Sequence, residues 1–182
     1  LGFCTEYAAT GDLTGECVQS YIQLRDTANT ARLTTLPLDG VLSAMAITAD
    51  GETLLAAVCR EPVMDGQAVA CAAFDLAIFD IAPIYDRIGE ISSRSEGEPV
   101  DAQRIIPMPD ALPVVRDLVV TPESDVLVLA GDGVQAWALN IEGGTVNESG
   151  TWGVSVNHAA FDPGGRLLAT AKNGIIHLWG IP

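Results

Sequence analysis

The side chains able to do covalent or acid–base chemistry are few and widely spread. Four cysteines (Cys4, Cys17, Cys59 and Cys71) and two histidines (His158 and His177) occur among 182 residues. The two tandem cysteine pairs enclose 12 and 11 residues. That is far from the tight Cys-x-x-Cys spacing of a zinc site, and no histidine stands near them. The serines of "GTVNESGTW" carry no Gly-x-Ser-x-Gly elbow, and two histidines so placed do not read as part of a Ser-His-Asp set. No phosphate-cradling glycine loop and no paired metal ligands emerge. The Asp-Gly and Asn-Gly pairs at 50–51, 65–66, 132–133 and 173–174 are explained as turn residues that tolerate positive φ. The expectation is a protein that is not an enzyme and needs no metal or cofactor. The cysteines then read as candidate disulfides, with four thiols buried in a cytosolic protein as the other reading.

Composition points to many short strands. Hydrophobic residues make up 48% of the chain, enough for a sizeable core, whereas aromatics make up only 5%. The 18 glycines and 10 prolines are spread along its length, which suits strands joined by turns better than long helices. With a formal charge of -15 and Lys172 as the lone lysine, no basic stripe exists to neutralise a phosphate backbone, so nucleic acid is not an expected partner. An acidic, solvated surface is the simplest reading; a high-salt habitat or calcium are the alternatives, and no run resembles an EF-hand loop. The most apolar stretch, "VACAAFDLAIFDIAPI", is broken by Asp75 and Asp80, which excludes a membrane-spanning helix there.

The elements that must position these residues are repeated. "VLSAMAITADGETLLAA" (41–57), "VVRDLVVTPESDVLVLA" (114–130) and "VSVNHAAFDPGGRLLAT" (154–170) each read as apolar strand, polar turn, apolar strand. A third strand closes each copy, "LAIFD", "VQAWA" and "IHLWG", with Phe79, Trp137 and Trp179 in the equivalent place; "IQLRD" puts Arg25 there in an earlier copy. Trp137 and Trp179 stand 42 residues apart, inside the roughly 40–45 residues of a four-stranded propeller blade. Longer intervals of 54 and 58 residues are explained by longer hairpins and by the polar insert "YDRIGEISSRSEGEPVDAQ".

This pattern resembles the WD-repeat β-propeller family, most plainly in "VNHAAFDPGGRLLATAKNGIIHLWG" and "MAITADGETLLAA". No Gly-His dipeptide opens any repeat, and the Trp-Asp pair survives only as Arg25-Asp26, Phe79-Asp80, Trp137-Ala138 and Trp179-Gly180. The blades are therefore expected to rely on apolar packing rather than on the family's buried hydrogen-bonded tetrad. The resemblance implies an all-β fold of four-stranded antiparallel blades over residues 1–182, divided at about 1–38, 39–109, 110–152 and 153–182. Counted inner strand first, the first blade lacks its inner strand and the last lacks its outer one, giving 14 strands in all. The expectation is an incomplete ring of about four blades, the C-terminal part of a larger propeller, because an open arc exposes strand edges and apolar blade faces.

The cysteines follow the same repeat. Cys17 lies eight residues before Arg25 and Cys71 eight before Phe79. Of the three possible pairings, only Cys4 with Cys17 and Cys59 with Cys71 respects the repeat. Such disulfides imply an oxidising compartment and hence a secreted, periplasmic or cell-surface protein.

For function, the resemblance implies a rigid ring that presents the starts of its inner strands to protein partners. The positions there are Ser43 and Ala44, Arg116 and Asp117, and Asn157 and His158. Polar residues beside a packed channel make Arg116, Asp117, Asn157 and His158, with Trp152 nearby, the candidate partner-binding residues; local ion pairing and channel water are the structural alternative. The expected function is a non-catalytic scaffold for protein–protein interaction or assembly in an extracytoplasmic complex, with the remainder of its own propeller among its partners. The alternative is the non-catalytic portion of a secreted propeller enzyme whose active residues lie in an N-terminal segment outside this sequence.

Overall fold

The computed structural model describes residues 2–8, 16–28, 30–65, 68–85, 98–108, 115–121, 126–130, 133–140, 145–152, 156–162, 164 and 166–180, with side chains described outside 2–18, 63–70 and 126–152. Strands β1 (Gly2–Ala8), β2 (Glu16–Arg25) and β3 (Arg32–Pro37) form the first sheet. The second has four strands in the order β4 (Val41–Ile47), β5 (Thr53–Cys59), β8 (Phe74–Asp80) and β9 (Arg104–Pro107). A two-stranded hairpin, β6 (Pro62–Asp65) and β7 (Ala68–Cys71), is inserted between β5 and β8, and a one-turn helix, α1 (Ala82–Tyr85), follows β8. The third sheet is β10 (Val115–Val120), β11 (Val126–Ala130), β12 (Gly133–Asn140) and β13 (Thr145–Trp152); the last is β14 (His158–Phe161), β15 (Leu167–Lys172) and β16 (Ile175–Gly180). All pairings are antiparallel.

The sheets are stacked face to face as the blades of a β-propeller, with β4 beside β10 and β10 beside β14, so the first strands of successive blades line one side. Strand alternation explains how one sheet serves two interfaces. Leu54, Ala56 and Val58 of β5, with Ala77 and Phe79 of β8, pack against Ile22, Leu33 and Leu36 of the first blade. Leu55, Ala57 and Cys59, with Leu76 and Ile78, lie on the other face and pack against Val115 and Leu118 of the third. β5 is consequently buried from Leu54 to Cys59, the pattern of a strand with no solvent face. Each such Leu, Ile or Phe side chain contributes about 1.5–3 kcal/mol on burial.

Turn chemistry fixes the chain reversals. Asn173 (φ 51°) and Gly174 (φ 78°) make the two-residue turn between β15 and β16, as their pairing from Lys172↔Ile175 onward requires. Gly51 also has positive φ, 78°, whereas the 65–66 and 132–133 turns include positions outside the described residues. Packing is not purely apolar: the Trp179 indole Nε1–H donates to Thr170 Oγ1 at 2.9 Å, tying β16 to β15 within the last blade.

Cys59 and Cys71 are disulfide-bonded across the base of the β6–β7 hairpin, with Cα atoms 5.8 Å apart. The side chains of Cys4 and Cys17 lie outside the described residues, but their backbone positions match. Cys4 pairs in register with Ser20 and Tyr7 with Cys17, as Cys59 pairs with Phe74 and Pro62 with Cys71. The equivalence of Ser20 and Phe74 is fixed separately, since each carbonyl accepts from the residue just after the outer strand, Leu38 N–H at 3.2 Å and Met108 N–H at 2.9 Å.

Candidate functional site at the start of the inner strands

The candidate rim is built by a repeated irregularity. In β4 the register against β5 slips between Leu42 and Ala44, leaving Ser43 without a paired residue; in β10 it slips between Val115 and Asp117, leaving Arg116 unpaired. A β-bulge at the same place in two blades turns these side chains out of the ladder. The Ser43 hydroxyl donates to the Val115 carbonyl, joining the inner strands of the second and third blades. Arg116 is exposed.

The third and fourth blades are joined by a polar contact. Asp117 Oδ2 lies 3.6 Å from His158 Nδ1, while Asp117 Oδ1 accepts the Leu118 backbone N–H at 3.0 Å. Asp117 is thereby held, whereas the His158 side chain is 79% exposed and presents the rest of its ring outward. Asn157 is half-buried, and its backbone N–H donates to the Ala171 carbonyl at 2.8 Å, fixing where β14 begins. Of the predicted residues, the structure brings Asp117 and His158 together, with Arg116 next to Asp117 in sequence. Trp152 ends β13, and its side chain lies outside the described residues.

At the other end of the same inner strands is an open cavity of about 310 Å³, lined by Ala46, Ile47, Val119, Val120, Phe161 and Asp162 among others. Its lining side chains are apolar apart from that of Asp162, a turn residue whose carboxylate accepts the Leu167 N–H at 2.6 Å and the Gly164 N–H at 3.3 Å. Those bonds hold its pKa below the usual aspartate value. Among the described residues, no three His, Cys, Asp or Glu side chains converge as metal ligands would.

Sequence reasoning missed a second polar feature. Asp75, read only as a charge interrupting an apolar run, is buried in β8 with Oδ2 3.3 Å from Arg60 Nη1. Its Oδ1 is buried with no hydrogen-bond partner among the described residues. Burial pushes its pKa up, Arg60 opposes that, and Asp39 adds to it. The available signal was phase: Asp75 shares the strand face of Ala77 and Phe79, which the repeat assigns to a blade interface.

No family model matches the chain, and no curated protein matches it. Solved structures do. The β-propeller domain of Cps50 (Swd1) from Myceliophteria thermophila superposes with a TM-score of 0.52 at 16% identity, covering 89% of this chain and 49% of that one. Kuenenia stuttgartiensis hydrazine synthase superposes with a TM-score of 0.54 at 15% identity, covering 86% of this chain and 45% of that one. The fold is a β-propeller. The chain spans about half the length of the solved chains it matches. Among the described residues, no helix is long and apolar enough to cross a membrane.

Proposed function

We propose that this chain is a non-catalytic, WD-repeat-like propeller scaffold that binds protein partners at the rim where its inner strands begin, within an extracytoplasmic assembly. The observation that carries this reading is the Asp117–His158 pair, which bridges adjacent blades beside the exposed Arg116. A polar cluster on a rigid array of sheets offers a partner fixed charges at little ordering cost. Partners complementary to the charge of -15 are basic or neutral proteins rather than nucleic acid. The Cys59–Cys71 disulfide supports an oxidising compartment. Further propeller blades belong among the partners, since the chain matches about half of each solved chain.

Affinity capture from the native extracytoplasmic fraction, comparing the wild type with Arg116→Glu, tests this. The expected result is a partner retained by the wild type and lost by the variant. Equal retention would place binding elsewhere on the ring.

A further inference from the structure

Of the five asparagines in the chain, Asn147 alone is followed two positions later by a serine or threonine, Ser149, with Glu148 rather than a proline between them. Asn-x-Ser is the acceptor sequence for N-linked glycosylation, which acts on surface segments of exported chains.

The fold sets this sequon apart from the packed part of its blade. Asn147 lies on β13, the last strand of the third sheet, with no outer neighbour among the described residues. The pairing of β11 with β12 ends at Val126↔Trp137, whereas that of β12 with β13 runs on to Asn140↔Thr145. Asn147, opposite Ala138, therefore stands on a two-stranded overhang beyond the four-stranded part of the sheet. The second blade has no such extension: β9 stops at Ile78↔Arg104, the row equivalent to Ala136↔Gly150. Blades stack through their four-stranded parts, so completing a larger ring leaves this ribbon outside the contact. The ladder also breaks within the sequon. Between Ala136↔Gly150 and Trp137↔Glu148 the register slips, which leaves Ser149 as a bulged residue. The partner rim is at the other end of the blade, where Val134↔Trp152 lies beside Ala130↔Gly133 and Val115↔Ala130. Trp152 and Asn147 are separated along β13 by roughly 15 Å.

We infer that Asn147 carries an N-linked glycan, an assignment that rests on the extracytoplasmic location proposed above. The co-substrate is an oligosaccharide carried on a polyprenyl diphosphate. The Asn147 side-chain amide nitrogen attacks the anomeric carbon of the first sugar, forming a C–N bond as the C–O bond to the diphosphate breaks. The polyprenyl diphosphate leaves with the electron pair, and the amide nitrogen gives up one proton. No oxidant or reductant takes part. The product puts a bulky, solvated group on the outer edge of the third blade, which blocks edge-to-edge pairing of β13 with another chain.

Non-reducing peptide mapping of the protein purified from its native source tests this and reads the location separately. The expected result is a Cys59–Cys71-linked peptide together with an Asn147 peptide whose mass is raised by carbohydrate, localised to Asn147 by fragmentation. In the same source, Asn147→Gln and Ser149→Ala each lose the added mass and Ser149→Thr keeps it. An unmodified Asn147 beside an intact disulfide overturns the glycan and leaves the location standing. Free Cys59 and Cys71 thiols beside an unmodified Asn147 overturn both. Carbohydrate that persists on this peptide in Asn147→Gln or Ser149→Ala overturns the assignment to the sequon.

Discussion

Replacing Cys59 and Cys71 together by alanine removes a covalent closure whose ends are 12 positions apart in sequence. On the chain-entropy model, freeing a loop of that length in the unfolded ensemble costs about 3 kcal/mol of stability. Cys59 is also 5% exposed within the core between the second and third blades, so losing its sulfur adds a small packing term, about 0.5–1 kcal/mol. For a chain of this size the sum corresponds to a fall in Tm of roughly 7–16 °C. Urea unfolding of the double variant beside the wild type, both without reductant, measures it. Adding reductant to the wild type should move its transition at least as far. The reasoning is refuted if the double variant unfolds within about 0.5 kcal/mol of the wild type, the range of an inert surface change. That result would mean that the β6–β7 hairpin is ordered by its own ladder and not by the bridge.

Asp75→Asn is expected to raise stability at neutral pH, because it removes a buried charge whose Oδ1 has no partner among the described residues. The folded pKa lies above the ordinary 3.8, so the wild type loses stability as pH rises from there through the raised value. Thermal melts of both proteins from acid to neutral pH should converge at the acid end. Gly40 has φ 137°, and a Cβ there would sit 2.3 Å from the Cys59 carbonyl oxygen. Gly40→Ala is expected to cost at least ~2 kcal/mol in urea unfolding, combining backbone strain with that clash.

Much of the fold is legible in the residues because strand alternation and turn chemistry are local. The three copies beginning at Val41, Val114 and Val154 announce paired strands, and Asn173-Gly174 announces the tight turn that the φ values bear out. The Cys59–Cys71 pairing was readable from its place in the repeat, since equal spacing from equivalent positions implies equal geometry. The longer hairpin was legible too, but not that its far end forms a separate two-stranded ladder, β6–β7, nor the one-turn α1, which has no copy in the repeat. Nor was the Trp179–Thr170 bond, which depends on two strands meeting in one register.

What the sequence by itself determined is which residues can share a face: Leu76 with Ile78, Ile176 with Leu178, Gln23 with Arg25. What only the tertiary structure decided is which of those faces meets another blade. Ile176 and Leu76 have the same chemistry and the same place in the repeat, yet one is bare and the other sealed. The bulge that frees Arg116, the approach of His158 to Asp117 and the burial of Asp75 are of the same kind. Alternation is written in neighbouring residues, whereas burial and charge pairing depend on surfaces brought together from far along the chain.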